Sequence, residues 1–170
     1  LVSGAEEIRA KKRAYHWLGS GIYFWENDRD RALEWANEKA SRGEVREPFV
    51  IGAVIEPGRC LDLSVRQNLP LVKAAHQSLT ALYAVSKRRL PENTTAPQDN
   101  RAKDKVMRKL DCAVLDHLVA NDDKGFETVR GLFVEGDPIY EGAEIFETTH
   151  AEIAVRNPAC IRGLFLPLGY

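Results

Sequence analysis

Apolar positions along this chain change period several times, and each change marks an element. Ile22-Tyr23-Phe24-Trp25 are four bulky residues in a row, which predicts a short strand with side chains alternating between two faces. Leu18-Gly19-Ser20-Gly21 precede them, and a glycine pair lets the backbone turn tightly and approach a neighbour closely. Ala32, Leu33, Trp35, Ala36, Lys39 and Ala40 then recur at helical spacing, predicting a helix capped by Asn27 or Asp28, with Asp30 in its first turn, that ends near Gly43. Phe49 to Ile55 is an almost unbroken apolar run, stopped by Pro57-Gly58. It reads as a central strand buried on both faces, with Cys60 to Leu63 as a short companion.

Leu71, Val72, Ala75, Leu79, Leu82 and Tyr83 form the next helical stripe. They predict a helix capped by Ser64 or opened by Pro70 and running to about Arg89. Pro91 to Asn100 has no period and reads as a loop. Val106, Leu110, Ala113, Val114, His117 and Leu118 predict an inward-facing helix from about Arg101 to Ala120. After the Asn121–Gly125 turn the pattern becomes short strands: Thr128–Val134, Ile145–Phe146, Glu152–Val155 and Cys160–Leu166. Helix in the middle and strand at the end imply an α+β fold rather than a regular βαβ repeat.

Composition narrows this only a little. At 170 residues the chain has room for one domain, and 44% apolar with 29% charged residues is a folded rather than a disordered balance. A net charge of -1 argues against gripping nucleic acid by bulk charge. Locally, Lys11-Lys12-Arg13 look solvent-facing, and Arg101, Lys103, Lys105, Arg108 and Lys109 crowd what should be the positive end of a helix dipole. Either they serve solubility, or they meet phosphates or an acidic partner. Cys60, Cys112 and Cys160 are odd in number and widely spaced, so reduced thiols in a cytoplasmic setting are expected rather than a disulfide framework. Neither they nor the four histidines have metal-site spacing. No apolar run approaches the roughly 18 residues of a membrane span.

Candidate chemistry comes from polar residues inside apolar strands, because a buried carboxylate or imidazole is costly unless paired. Thr149-His150-Ala151-Glu152-Ile153-Ala154-Val155 alternates, so His150 and Glu152 share a face with Cβ atoms about 6.5–7 Å apart. Ala151, Ile153 and Val155 would turn to the core. Tyr23 and Trp25 likewise share a face. Such aromatic residues could stack on a planar ring or simply fill a core, and Glu152 could be a solvent-face residue.

Three stretches taken together resemble a known family. They are Leu18 to Glu26 with Arg31-Ala32-Leu33-Glu34-Trp35-Ala36 behind it, Val129-Arg130-Gly131-Leu132-Phe133-Val134-Glu135-Gly136, and His150 to Pro158 running on to Phe165. In their residues and order they resemble the NAD-dependent ADP-ribosyltransferase fold, in its bacterial toxin-like His-Tyr-Glu branch. The resemblance implies a split mixed β-sheet core with helical insertions between the early and late strands, formed as one domain over residues 1–170. It implies NAD as co-substrate, with Glu152 catalytic and holding the 2′-hydroxyl of the nicotinamide ribose, and Tyr23 stacked on the nicotinamide. Gly21, Trp25, Ala32 and Trp35 would complete the NAD wall, and Thr149 and His150 would face the acceptor.

Two departures shape the expectation. Members of this fold begin with a strand ending in His-Gly, and nothing before Leu18 matches it; His16 lies too close to the glycine turn. An absent first strand, completed by an N-terminal fragment, is therefore expected. The arginine-modifying branch carries an acid two positions before its glutamate, where this chain has His150, and an imidazole would not steer a guanidinium. The expected reaction is ADP-ribose transfer to a nucleic acid or to a protein group other than arginine, with nicotinamide released, in a cytoplasmic toxin or phage-defence setting with an antitoxin partner. The alternatives are a catalytically silent NAD-, nucleotide- or protein-binding module on the same fold, and a structural α+β domain.

Overall fold

The computed structural model describes residues 13–95, 105–123 and 125–168. In chain order its elements are β1 (Ile22–Trp25), α1 (Arg29–Ser41), β2 (Gly52–Ile55), β3 (Cys60–Asp62), α2 (Leu69–Val85), β4 (Asn93–Thr94), β5 (Met107–Arg108), α3 (Lys109–Ala120), β6 (Thr128–Phe133), β7 (His150–Val155) and β8 (Ile161–Phe165). The result is an α+β fold with a mixed sheet and helices inserted among its strands. The main sheet runs β1-β7-β6-β3. Its β1–β7 and β7–β6 pairs are antiparallel and its β6–β3 pair is parallel.

The sheet has unequal sides. Leu61, Val129, Phe133 and Ala154 turn to one side and pack with Leu18, with Ala75 and Leu79 of α2, and with Val114, Leu115 and Leu118 of α3. Ile22 and Val155 turn to the other, where Cys160 and the half-buried Phe24, Ile55 and Ile161 form a smaller cluster. Alternation along β7 is as the pattern predicts, but the sides are reversed. His150, Glu152 and Ala154 share the face of the larger core, because α2 and α3 pack there.

Helix ends follow local chemistry. Asp28, not Asn27, caps α1, its Oδ1 accepting from the Arg31 N–H at 2.9 Å. Asn27 instead makes the strand-to-helix turn at φ 55°, a region asparagine tolerates better than most residues. Helix α2 has Pro70 in its first turn and stops at Val85, before the expected Arg89, because Lys87 takes a left-handed φ of 53°. The third helix starts at Lys109, later than the expected Arg101. Met107–Arg108 are extended and pair with Asn93–Thr94, and Asn93 Oδ1 accepts from the N–H groups of Leu110 and Asp111 at 2.8 and 3.2 Å. A side chain distant in sequence thus supplies the cap that Arg108 does not. Arg101 and Lys103, like Lys11 and Lys12, lie outside the described residues, as does much of the Pro91–Asn100 loop.

The Phe49–Ile55 run is not a central strand. Only Gly52–Ile55 is strand, paired to β8 alone, and Phe49 and Val54 are 60% and 57% exposed. Gly52 lets the Phe165 ring press on the backbone, where a Cβ would meet ring atoms at 2.3 Å. Cys60–Asp62 does not accompany this run; it joins the main sheet beside β6. Ile145–Phe146 is reduced to a single bridge between Pro138 and Phe146. The cysteines are free thiols, Cys112 and Cys160 buried.

Candidate functional site

The glycine turn is fastened before it delivers β1. Gly19 sits at φ 78°, and a Cβ there would strike Arg156 and Asp116. Asp116 of α3 accepts from the Ser20 N–H at 2.7 Å and the Ser20 hydroxyl at 2.8 Å, and pairs with Arg156 at 3.0 Å. Arg156 also donates to the Leu18 carbonyl. Gly21 is needed for a different reason. Its absent Cβ would lie 3.0 Å from the Ala154 Cβ and 3.1 Å from the Val155 carbonyl, so a side chain here would push β1 a few tenths of an ångström off β7.

Tyr23 closes the turn. Its hydroxyl donates to the Gly19 carbonyl at 2.6 Å and accepts from the Leu18 N–H at 2.8 Å. Burial pushes its phenol well above the ordinary value, so it keeps its proton and remains a donor. The His16 ring packs on Tyr23 with centroids 4.7 Å apart. Burial, with the nearby Arg13 charge, lowers the His16 pKa, and its Nδ1 is buried without a hydrogen-bond partner.

In the β1–β7 ladder Tyr23 stands opposite Ala154 and Trp25 opposite Glu152. Opposed residues share a face with Cβ atoms about 4.5–5.5 Å apart, so Tyr23, Trp25 and Glu152 lie on one side of the sheet. Beside them, along the edge of β1 away from β7, runs a cleft of about 630 Å³, a size suited to a small organic ligand. Tyr23 and Trp25 form one wall, Ala32 and Trp35 of α1 another, and part of the 45–53 segment a third. Trp25 and Trp35 meet edge to face at 6.4 Å. The Lys39 ammonium and Arg42 guanidinium each lie 5.3 Å from the Trp35 ring centre, and Lys39 also lines the cleft. Of the residues expected to bind NAD, Tyr23, Trp25, Ala32 and Trp35 therefore meet in one cavity. Gly21 lies outside the lining, at the turn.

Glu152 is set behind Trp25 rather than in the lining, with its side chain 12% exposed. It belongs to a second cluster. The His150 side chain, 2% exposed, has Nε2 3.5 Å from Glu152 Oε1 and Nδ1 3.7 Å from Glu135 Oε2. Nδ1 also lies 2.7 Å from the Thr148 carbonyl. Trp17 stacks against the imidazole at 6.0 Å, Phe133 lies at 5.7 Å, and the Arg108 guanidinium covers both Trp17 and Phe133. Burial disfavours a charged ring here, but bonding to Glu152 and Thr148 and the charges of Glu152 and Glu135 outweigh it, so the His150 pKa is raised. Thr149 sits at the turn entering β7, its N–H donating to the Phe146 carbonyl at 3.4 Å.

The sequence pattern singled out neither Glu135 nor the Asp116–Arg156 pair. Glu135 follows β6 among turn formers and carries no periodic signal, and Asp116 reads as one more polar position on a helix. Only antiparallel pairing of β6 with β7, which sets Phe133 opposite His150, brings Glu135 to the imidazole. Among the described residues, no group of three or more His, Cys, Asp or Glu side chains could hold a metal ion, and no helix is long and apolar enough to cross a membrane. No protein-family model, curated protein or solved structure matches this chain.

Proposed function

We propose that this chain transfers ADP-ribose from NAD to a macromolecular acceptor, releasing nicotinamide, on an ADP-ribosyltransferase-like fold. The observation that carries the reading is the meeting of Tyr23, Trp25, Ala32 and Trp35 around one cleft, with Glu152 directly across the ladder from Trp25. Planar aromatic walls suit a nicotinamide or adenine ring, and the same lining carries the cations Arg29 and Lys39 beside the carboxylates Asp28 and Glu47. Cleaving the bond from ribose C1′ to the nicotinamide nitrogen builds positive charge on the sugar. A carboxylate held beside that ribose attracts the transition state more strongly than the ground state. Glu152 takes this role and orients the ribose 2′-hydroxyl, while Tyr23, Trp25 and Trp35 bind and exclude water. The nicotinamide departs as a neutral ring, so a strong general acid is not required. His150 at the position two before Glu152 disfavours an arginine acceptor and leaves nucleic acid or another protein group.

The test is NAD turnover, followed as nicotinamide release and label transfer, in the wild type and Glu152→Gln. The expected loss is about 100- to 1,000-fold with NAD binding retained. Equal turnover by the two proteins removes Glu152 from the mechanism. A second reading, a silent NAD- or nucleotide-binding module, draws support from His16, whose ring packs against Tyr23 where a nicotinamide would stack. Saturable NAD binding without nicotinamide release by any form of the protein decides for it.

A further inference from the structure

The imidazole of His150 is almost wholly buried and surrounded by acceptors. Nδ1 lies 2.7 Å from the Thr148 carbonyl, which can only accept, so Nδ1 carries a hydrogen. Nε2 faces the Oε1 of Glu152 at 3.5 Å. A bare lone pair there would oppose a carboxylate oxygen across a site with little water to screen it, so Nε2 is best satisfied carrying a hydrogen as well. The Oε2 of Glu135, 3.7 Å from Nδ1, adds a second negative charge. A proton on both nitrogens sets a positive ring between the two carboxylates, each of which favours that charge. Arg108 of β5 also lies nearby, over Trp17 and Phe133. His16, in the turn before β1, packs on Tyr23 and senses the Glu152 charge.

We propose that Glu135 is a positioning residue: it shares a His150 imidazolium with Glu152, fixing Oε1 of Glu152 and leaving Oε2 for the ribose hydroxyl. Glu135 need touch no substrate. It acts through the ring, as the orienting partner of a site carboxylate. The inference rests on the reading of Glu152 as the site acid, but its central claim, a positively charged His150 ring held between two carboxylates, concerns the protein alone.

Nitrogen-15 NMR of the His150 ring in the full chain, without NAD, tests that claim directly. In the wild type both ring nitrogens should give the imidazolium signature at neutral pH. Glu135→Gln should lower the pH at which the ring loses its proton by about one unit, and Glu135→Asp should restore most of the shift. In the NAD assay Glu135→Gln should lower kcat with little change in KM, and should move the alkaline limb of the rate profile down with the ring titration. A neutral single-tautomer His150 at neutral pH overturns the proposal. So does a Glu135→Gln variant of unchanged thermal midpoint whose ring titration does not move. If the wild type releases no nicotinamide while the ring titration responds to Glu135→Gln, the shared imidazolium stands and the transferase reading falls.

Discussion

The Tyr23 hydroxyl is bound back to Gly19, four residues earlier, donating to its carbonyl at 2.6 Å while accepting from the Leu18 N–H. The residue expected to face a nicotinamide is therefore also the clasp of the turn that delivers it. Ring and hydroxyl do separate work, and substitution separates them.

Tyr23→Phe keeps the ring and leaves the Leu18 N–H and Gly19 carbonyl without that partner. A half-buried pair of orphaned backbone groups should cost about 1–3 kcal/mol, read from denaturant unfolding, with NAD affinity little changed. Tyr23→Ala removes the stacking face as well, and should weaken NAD binding by at least about tenfold. Calorimetry on the two variants side by side distinguishes clasp from wall. If phenylalanine loses as much NAD affinity as alanine, the ring is not the binding element.

Asp116→Ala removes the anchor beneath Ser20. The Ser20 N–H and hydroxyl lose their acceptor, and one nitrogen of Arg156 keeps only the Leu18 carbonyl. The group is partly exposed, at 26% for the Asp116 side chain, so solvent screens part of the loss and about 1–3 kcal/mol is expected. For a chain of this size that lowers the thermal midpoint by about 2–4 °C per kcal/mol. Faster amide exchange at Ser20 than elsewhere on β1 would place the damage at the turn; a uniform change would refute a local anchor.

Buried His150 and half-buried His16 should shape the pH dependence of stability in opposite directions. His150 has a folded pKa raised above its ordinary 6.5, despite burial, by Glu152, Thr148 and Glu135. Its stabilising charge is fully present below that value and is lost as pH rises through the folded pKa. His16 has a pKa lowered below 6.5 by burial and by Arg13. The unfolded ring takes its proton first, so stability falls as pH drops from that value toward the folded pKa. Thermal midpoints measured across the neutral range should therefore peak and decline on both sides. His16→Phe should flatten the acid decline and His150→Gln the alkaline one, and a variant that leaves its own limb unchanged refutes the assignment for that residue.

Much of the local structure was legible because it depends on neighbours in the chain. The glycine turn, the Ile22–Trp25 strand, the helix capped at Asp28 and the proline-opened α2 all follow from backbone freedom, capping and period. The approach of Tyr23, Trp25, Ala32 and Trp35 was partly legible too, since a short turn joins β1 to α1. Errors arose where distant segments decide. Phe49 to Ile55 looks like a central strand because it is apolar, yet hydrophobicity does not say whether a second strand will pair, and here only β8 does. The start of α3 waits on Asn93, a residue outside the helix and its flanks. The sides of β7 could not be assigned either, since alternation defines two faces without saying which one the helices will cover.

By itself, then, the sequence determined that Ile22–Trp25 is strand, that α1 and α2 are helix, and which residues of β1 and β7 share a face, because dihedral preference and side-chain period act over a few residues. Only the tertiary structure decided that β7 lies between β1 and β6, which sets Glu152 across from Trp25 and brings Glu135 to His150. Those meetings depend on strand order and register, and both are fixed by burying the sheet against α2 and α3 rather than by any local pattern.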